Sequence, residues 1–156
     1  MGGLVELARS ACEELVRRLG DRVAAVALFG SVARGEHSER SDFDFLVVVR
    51  DFRDRDRRFK IYDALYSVLR RDITLIDVDE DSIFREDLVV TPLLLNIAWD
   101  GIVLYDPSGR LTRLFERIRR AVQGRLQRYR TRDGKYGWKP VKGDLGPIEV
   151  DTELDT

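Results

Sequence analysis

The sequence predicts an α/β (α+β) chain, and three observations carry that prediction. Short continuous apolar runs recur at Val23–Phe29 (VAAVALF), 45–49, 73–78 (ITLIDV) and Ile102–Tyr105 (IVLY), each the length of a buried strand. Between them, apolar residues return at helical spacing. Gly, Pro and Asp punctuate the junctions.

Residues 4–19 read as the first helix, with Leu4, Ala8, Ala11, Leu15 and Leu19 on one stripe and Gly20 as its stop. Cys12 lies in this helix and reads as a small packing residue. The strand Val23–Phe29 ends at Gly30. Residues 32–35 predict a turn of helix, and 36–41 a charged loop holding the lone His37, read as solvated. After the second strand, the mixed-charge run 51–58 reads as a solvated helix start. Phe59, Tyr62, Leu65, Tyr66 and Leu69 then form a helical stripe, read as core, that ends near Arg71. Asp72 introduces the third strand. Residues 80–87 predict a short helix or loop. Pro92 opens a helix through Trp99 that Gly101 stops, and the strand IVLY follows. Asp106 to Gly109 make a turn before a last helix with Leu111, Leu114, Ile118 and Val122 on one face.

The texture changes after Gly124, so the expected organisation is a domain over 1–124 and a basic, aromatic extension over 125–156 packed on it. Asp133-Gly134 is a hairpin signal. Tyr129, Tyr136 and Trp138 are its expected anchors. Interleaved Arg, Lys and aromatic residues also suit an acceptor-binding arm or a self-association arm. The end of the extension is acidic, with Glu149, Asp151, Glu153 and Asp155.

The 156 residues carry a net charge of −1, 44% hydrophobic and 35% charged residues. That balance excludes a disordered chain and a global field toward nucleic acid. A single cysteine excludes an internal disulfide and a thiolate zinc cluster. The sequence has no spanning segment of about 20 apolar residues, and MGGLVELARS lacks the basic start and apolar core of a signal peptide. A cytoplasmic location off the membrane is expected. Few amide side chains among many charges point to a heat-adapted source, although a high-GC genome gives a similar Arg bias.

The chemistry concentrates at Gly30–Val49. Asp42 and Asp44 are two apart at a strand entry, so alternation puts both on one face. Adjacent carboxylates repel unless a cation lies between them, and hard oxygen ligands suit Mg²⁺ or Mn²⁺. A third carboxylate from a neighbouring strand would bring a second ion about 3.5–4 Å from the first, the two-metal arrangement for phosphoryl chemistry. Asp72 and Asp77 are the candidates. Their odd separation sends them to opposite faces, and Asp72 is preferred because Asp77, with Asp79 and Asp81, reads as a polar strand exit. Gly30 lets backbone N–H groups approach a phosphate, and Ser31 adds a hydroxyl. The plainer reading is that Asp42 and Asp44 merely open a strand; the joint spacing of Gly-Ser, Asp-x-Asp and Asp72 favours the catalytic one.

LFGSVARGEHSERSDFDFLVVV followed by RRDITLIDV resembles the minimal nucleotidyltransferases of the polymerase-β superfamily over roughly residues 4–106. The resemblance implies a small mixed sheet flanked by helices. It also implies transfer of a nucleoside monophosphate from an NTP, with ATP expected, to an acceptor hydroxyl. By the same resemblance Asp42 and Asp44 hold Mg²⁺ or Mn²⁺ and the triphosphate, and Asp72 holds the catalytic metal near the acceptor and helps remove its proton. Gly30 and Ser31 hold the β and γ phosphates, with Arg34 and Arg40 as nearby cations. The family pattern implies a helical HEPN protein as partner, in a toxin–antitoxin pair, and leaves a homo-oligomer open. The alternative is a non-catalytic binding module of the same fold.

Overall fold

The computed structural model describes residues 3–36, 38 and 41–142. His37, Arg40 and the acidic end at Glu149, Asp151, Glu153 and Asp155 lie outside the described residues. The elements are α1 (Gly3–Leu19), β1 (Val23–Phe29), α2 (Gly30–Arg34), β2 (Phe43–Val49), α3 (Arg57–Leu69) and β3 (Ile73–Asp79). They continue through α4 (Glu80–Ile83), α5 (Pro92–Asp100), β4 (Ile102–Tyr105), α6 (Arg110–Val122), β5 (Leu126–Arg130) and β6 (Tyr136–Pro140).

A four-stranded mixed sheet in the order β3-β2-β1-β4 forms the middle layer. β2 and β3 are parallel and joined through α3, whereas β1 runs antiparallel to both β2 and β4. Burial explains why β1 reads as a continuous apolar run. It is central, and all seven of its residues are buried. Its Val23, Val26 and Leu28 pack toward α1 and α3, and its Ala24, Ala25, Ala27 and Phe29 toward α4, α5 and α6. Cys12 is buried against α3 and the sheet, and burial pushes its thiol up to about 12, which suits an inert packing group.

β2 starts at Phe43, at the strand entry that Asp42 and Asp44 mark, because the Phe43 N–H donates to the Asp72 carbonyl at 3.1 Å and its ring is wholly buried. Two local expectations need correction. The α3 stripe is core only in part. Phe59 and Tyr66 are 67% and 43% exposed, while Ile61, Ala64, Leu65 and Leu69 are buried. That second set recurs at i, i+3, i+4 and i+8 and packs on α1, with Tyr62 partly buried beside it and the exposed Tyr66 stacked on Tyr62 at 5.9 Å. The run 51–58 is not merely solvated either. Arg57 contacts Asp77 and Asp79, each at 2.9 Å, and Arg58 contacts Asp77 at 2.7 Å.

Among the described residues no helix is long and apolar enough to cross a membrane.

Candidate active site

Strand parity places the carboxylates. In β2, Phe43, Phe45, Val47 and Val49 pack on the α1/α3 side, and Leu46 and Val48 on the α5/α6 side. Asp44 therefore faces the α5/α6 side, and Asp42 shares that face by alternation. In β3, Leu75 packs with α1 and α3, while Ile76 and Val78 face the other way. Thr74 and Asp72 thus lie on the face of Asp44, and Asp77 lies on the opposite one. There Asp77 is committed to Arg57 and Arg58 of α3.

Asp44 occupies the middle of the constellation. Across the sheet it is opposite Phe29, the last residue of β1, and on its other side it is in register with Thr74. The Thr74 hydroxyl donates to its carboxylate. Gly30 follows Phe29 with φ +75°, and a Cβ built on Gly30 would lie 1.8 Å from Asp44 Oδ2. The Asp44 carboxylate therefore occupies the space that any side chain at position 30 would take. Burial first, and the charge of Asp42 second, push the Asp44 carboxyl above the ordinary carboxylate range. The Thr74 hydrogen bond and the charge of Arg34 act in the other direction.

Ser31 is the second residue of α2, and its carbonyl accepts the Glu36 N–H at 2.9 Å. The first amides of this short helix have no intrahelical acceptor. Arg34, at the end of α2, is held by acids that the sequence reading missed. Its Nε donates to Glu36 at 2.7 Å and its Nη1 to Asp100 at 2.9 Å.

Two carboxylates sharing one face, one of them half-buried with raised proton affinity, form a donor set that a hard divalent cation relieves. The third expected member, Asp72, lies on the same face at its edge. Asp72 is exposed just before β3, beside Asp42 in the register, and donors of three or more acidic, His or Cys side chains do not gather among the described residues. Thr74, not a carboxylate, is the β3 residue directly beside Asp44.

A sequence profile of the family described as "Polymerase beta, Nucleotidyltransferase" matches residues 12–108. The chain belongs to the polymerase-β nucleotidyltransferase family. Two proteins of Methanocaldococcus jannaschii share sequence with it. "Putative protein adenylyltransferase MJ1215" is 38% identical over 55 residues, which is 35% of this chain and 64% of that protein's own length. "Putative protein adenylyltransferase MJ0141" is 31% identical over 72 residues, covering 42% of this chain and 73% of that protein. A solved structure described as "Crystal structure of the toxin-antitoxin with AMP-PNP" is similar at a TM-score of 0.49 and 21% identity, over 74% of this chain and 92% of that one.

The family match spans β1 to β4 and stops short of the β5–β6 hairpin. Gly134, with φ +84°, turns the hairpin where Asp133-Gly134 marks it in the sequence. Trp138 anchors it edge-on to Trp99 at 5.3 Å and donates its indole N–H to Asn96 at 2.9 Å. Tyr136 is a second anchor, its hydroxyl donating to Glu36 at 2.8 Å. Tyr129 is not an anchor: it is 43% exposed, with Lys139 5.9 Å from its ring. Neighbouring strand residues point to opposite sides, so Arg128 and Arg130 take the inward side and Tyr129 the outward one.

Proposed function

We propose that the chain transfers a nucleoside monophosphate from an NTP, with ATP as the expected donor, to an acceptor hydroxyl, releasing pyrophosphate. The observation that carries this is the Asp42–Asp44 pair set against the side-chain-free surface of Gly30. Asp42 and Asp44 would hold Mg²⁺ or Mn²⁺, which supplies charge neutralisation for the triphosphate. Gly30 makes room for the Asp44 carboxylate against the start of α2, and the amides and hydroxyl at Ser31 donate to phosphate oxygens. Arg34 contributes a fixed positive charge close enough to act on Asp44. Arg40 is proposed as a second cation from its place in the sequence, two residues before Asp42.

Asp72 is the proposed acceptor-side carboxylate. It is exposed at the edge of the face that carries Asp42 and Asp44, where an acceptor hydroxyl could approach it. The acceptor that fits the family pattern is a hydroxyl on a HEPN partner protein, and the names of the two archaeal relatives favour a protein acceptor.

A second reading, a non-catalytic module of the same fold, is favoured by one observation: Thr74 stands beside Asp44 where a third carboxylate would complete the cluster. Incubation with labelled NTPs, Mg²⁺ and candidate protein acceptors separates the two. The transfer reading expects label on an acceptor, lost in Asp42→Ala and Asp44→Ala. Asp72→Asn should abolish transfer with NTP binding largely kept, and Asp77→Asn should leave transfer intact. NTP binding without transfer to any acceptor favours the non-catalytic module, and absence of both metal and NTP binding defeats the nucleotidyltransferase reading outright.

A further inference from the structure

We propose that the β5–β6 hairpin is a positioning device for the nucleotide site, holding Arg34 through Arg128 and Tyr136. The inference rests on the reading that the triphosphate binds beside Gly30, Asp42 and Asp44.

Three contacts fix the Arg34 side chain: Glu36 at 2.7 Å, Asp100 at 2.9 Å, and the Tyr136 ring, whose centroid is 4.5 Å from the guanidinium carbon. The hairpin acts on all three. Tyr136 belongs to β6, and its hydroxyl donates to both carboxylate oxygens of Glu36, at 2.8 and 3.0 Å. Arg128 belongs to β5 and takes Asp100 from the other side, with one nitrogen on each carboxylate oxygen at 2.7 Å. A fork of that kind fixes the plane of the carboxylate as well as its place. Arg34 therefore bonds an Asp100 whose orientation Arg128 sets.

Arg128 is itself tightly placed. It donates to Asn96 at 3.1 Å and stacks on Tyr136 with its guanidinium carbon 4.0 Å from the ring centroid. The side chains of Asp100, Arg128 and Arg34 are only 7%, 14% and 21% exposed, so water screens the network weakly. Arg130, also on the hairpin, reaches Glu36 at 4.0 Å and lies over the Tyr136 ring at 5.4 Å, so the hairpin brings two arginines to the two acids that hold Arg34. Arg34 Nη2 has no acceptor among the described residues, which leaves that edge for a phosphate oxygen. The same packing turns Arg128, Tyr136 and Trp138 inward, away from service as an acceptor-binding surface.

The test is a double-mutant cycle on the full chain. The dissociation constant of a non-hydrolysable ATP analogue is measured with Mg²⁺ for wild type, Arg34→Met, Arg128→Met and the double variant. Each single change should weaken binding roughly 10-fold, and the double variant should be no weaker than Arg34→Met alone, because Arg128 acts through Arg34. Unchanged affinity in Arg128→Met, or multiplicative losses in the double variant, overturns the proposal.

A second readout needs no nucleotide. The Arg34 Nε–H resonance should be resolved and slow to exchange in wild type, and lost or shifted in Arg128→Met; its persistence unchanged overturns the coupling. Should Arg128→Met fail to fold, Tyr136→Phe removes only the hydroxyl on Glu36 and should still shift that resonance. A wild-type chain that shows the coupled resonance but binds no nucleotide defeats the functional reading, and with it the ligand proposed here.

Discussion

Gly30→Ala is expected to reduce nucleotidyl transfer at least 100-fold, the scale on which a misplacement of about 1 Å at a reacting centre acts. Two costs coincide at this residue. At φ +75° an L side chain is strained by about 1–2 kcal/mol. The added Cβ also meets Asp44 Oδ2 at 1.8 Å, so the carboxylate must leave its place beside Asp42 and Thr74. Gly35→Ala is the control. Its φ is +74°, but nothing lies within 4 Å of its Cβ, so it carries only the backbone cost. Denaturant midpoints and transfer rates measured together should show two destabilised proteins, of which only Gly35→Ala stays active. Equal activity in the two variants would show that Gly30 does not set the position of Asp44.

The largest loss of stability is expected for Asp100→Ala. Removing this carboxylate leaves Arg34 and Arg128 facing each other without their shared acid in a weakly hydrated site. Breaking a buried pair by deleting one partner costs about 3–5 kcal/mol. The partial exposure of Arg34 argues for the lower end, about 3 kcal/mol. The urea midpoint should fall with the slope unchanged. By contrast, Asp87→Ala removes the partner of Arg85 in a pair that is 52% and 74% exposed, and should leave the midpoint where it is. A midpoint unmoved by Asp100→Ala would mean that the network does not bind the hairpin to the domain.

Much of this arrangement is legible in the chain because strand parity is a local property. The two-residue spacing of Asp42 and Asp44 and the odd spacing of Asp72 and Asp77 fix which side of the sheet each one faces. The apolar run of β1 and the Asp133-Gly134 turn are local in the same sense. Pairing between strands is not. The register that sets Thr74 beside Asp44, and Asp72 beside Asp42, depends on how β3 slides along β2. Hence parity could choose Asp72 over Asp77 for the face, but not place it relative to Asp42 and Asp44 along the sheet.

The partners of Arg34 were hidden for a similar reason. Asp100 closes α5 and Tyr136 lies on the hairpin, 66 and more residues away in sequence. One signal was available in retrospect: Trp138 and Tyr136 share parity with each other in β6, and Arg128 and Arg130 do so in β5. That pattern marks one inward face of a hairpin with a polar and aromatic character. The α3 stripe held for Leu65 and Leu69 and failed for Phe59 and Tyr66, because its aromatic and aliphatic residues interleave. Ile61, Ala64, Leu65 and Leu69 give a tighter surface for α1 than Phe59 and Tyr66 would.

The central claim is that Asp42 and Asp44 hold a divalent cation with a nucleoside triphosphate lying over Gly30 and Ser31. A crystal structure grown with Mn²⁺ and a non-hydrolysable ATP analogue tests it most directly, since anomalous scattering locates the metal. The account predicts Mn²⁺ bound by both carboxylates, the phosphates against Gly30 and Ser31, and Arg34 Nη2 on a phosphate oxygen. Nucleotide bound elsewhere, or Mn²⁺ absent from Asp42 and Asp44, would contradict it.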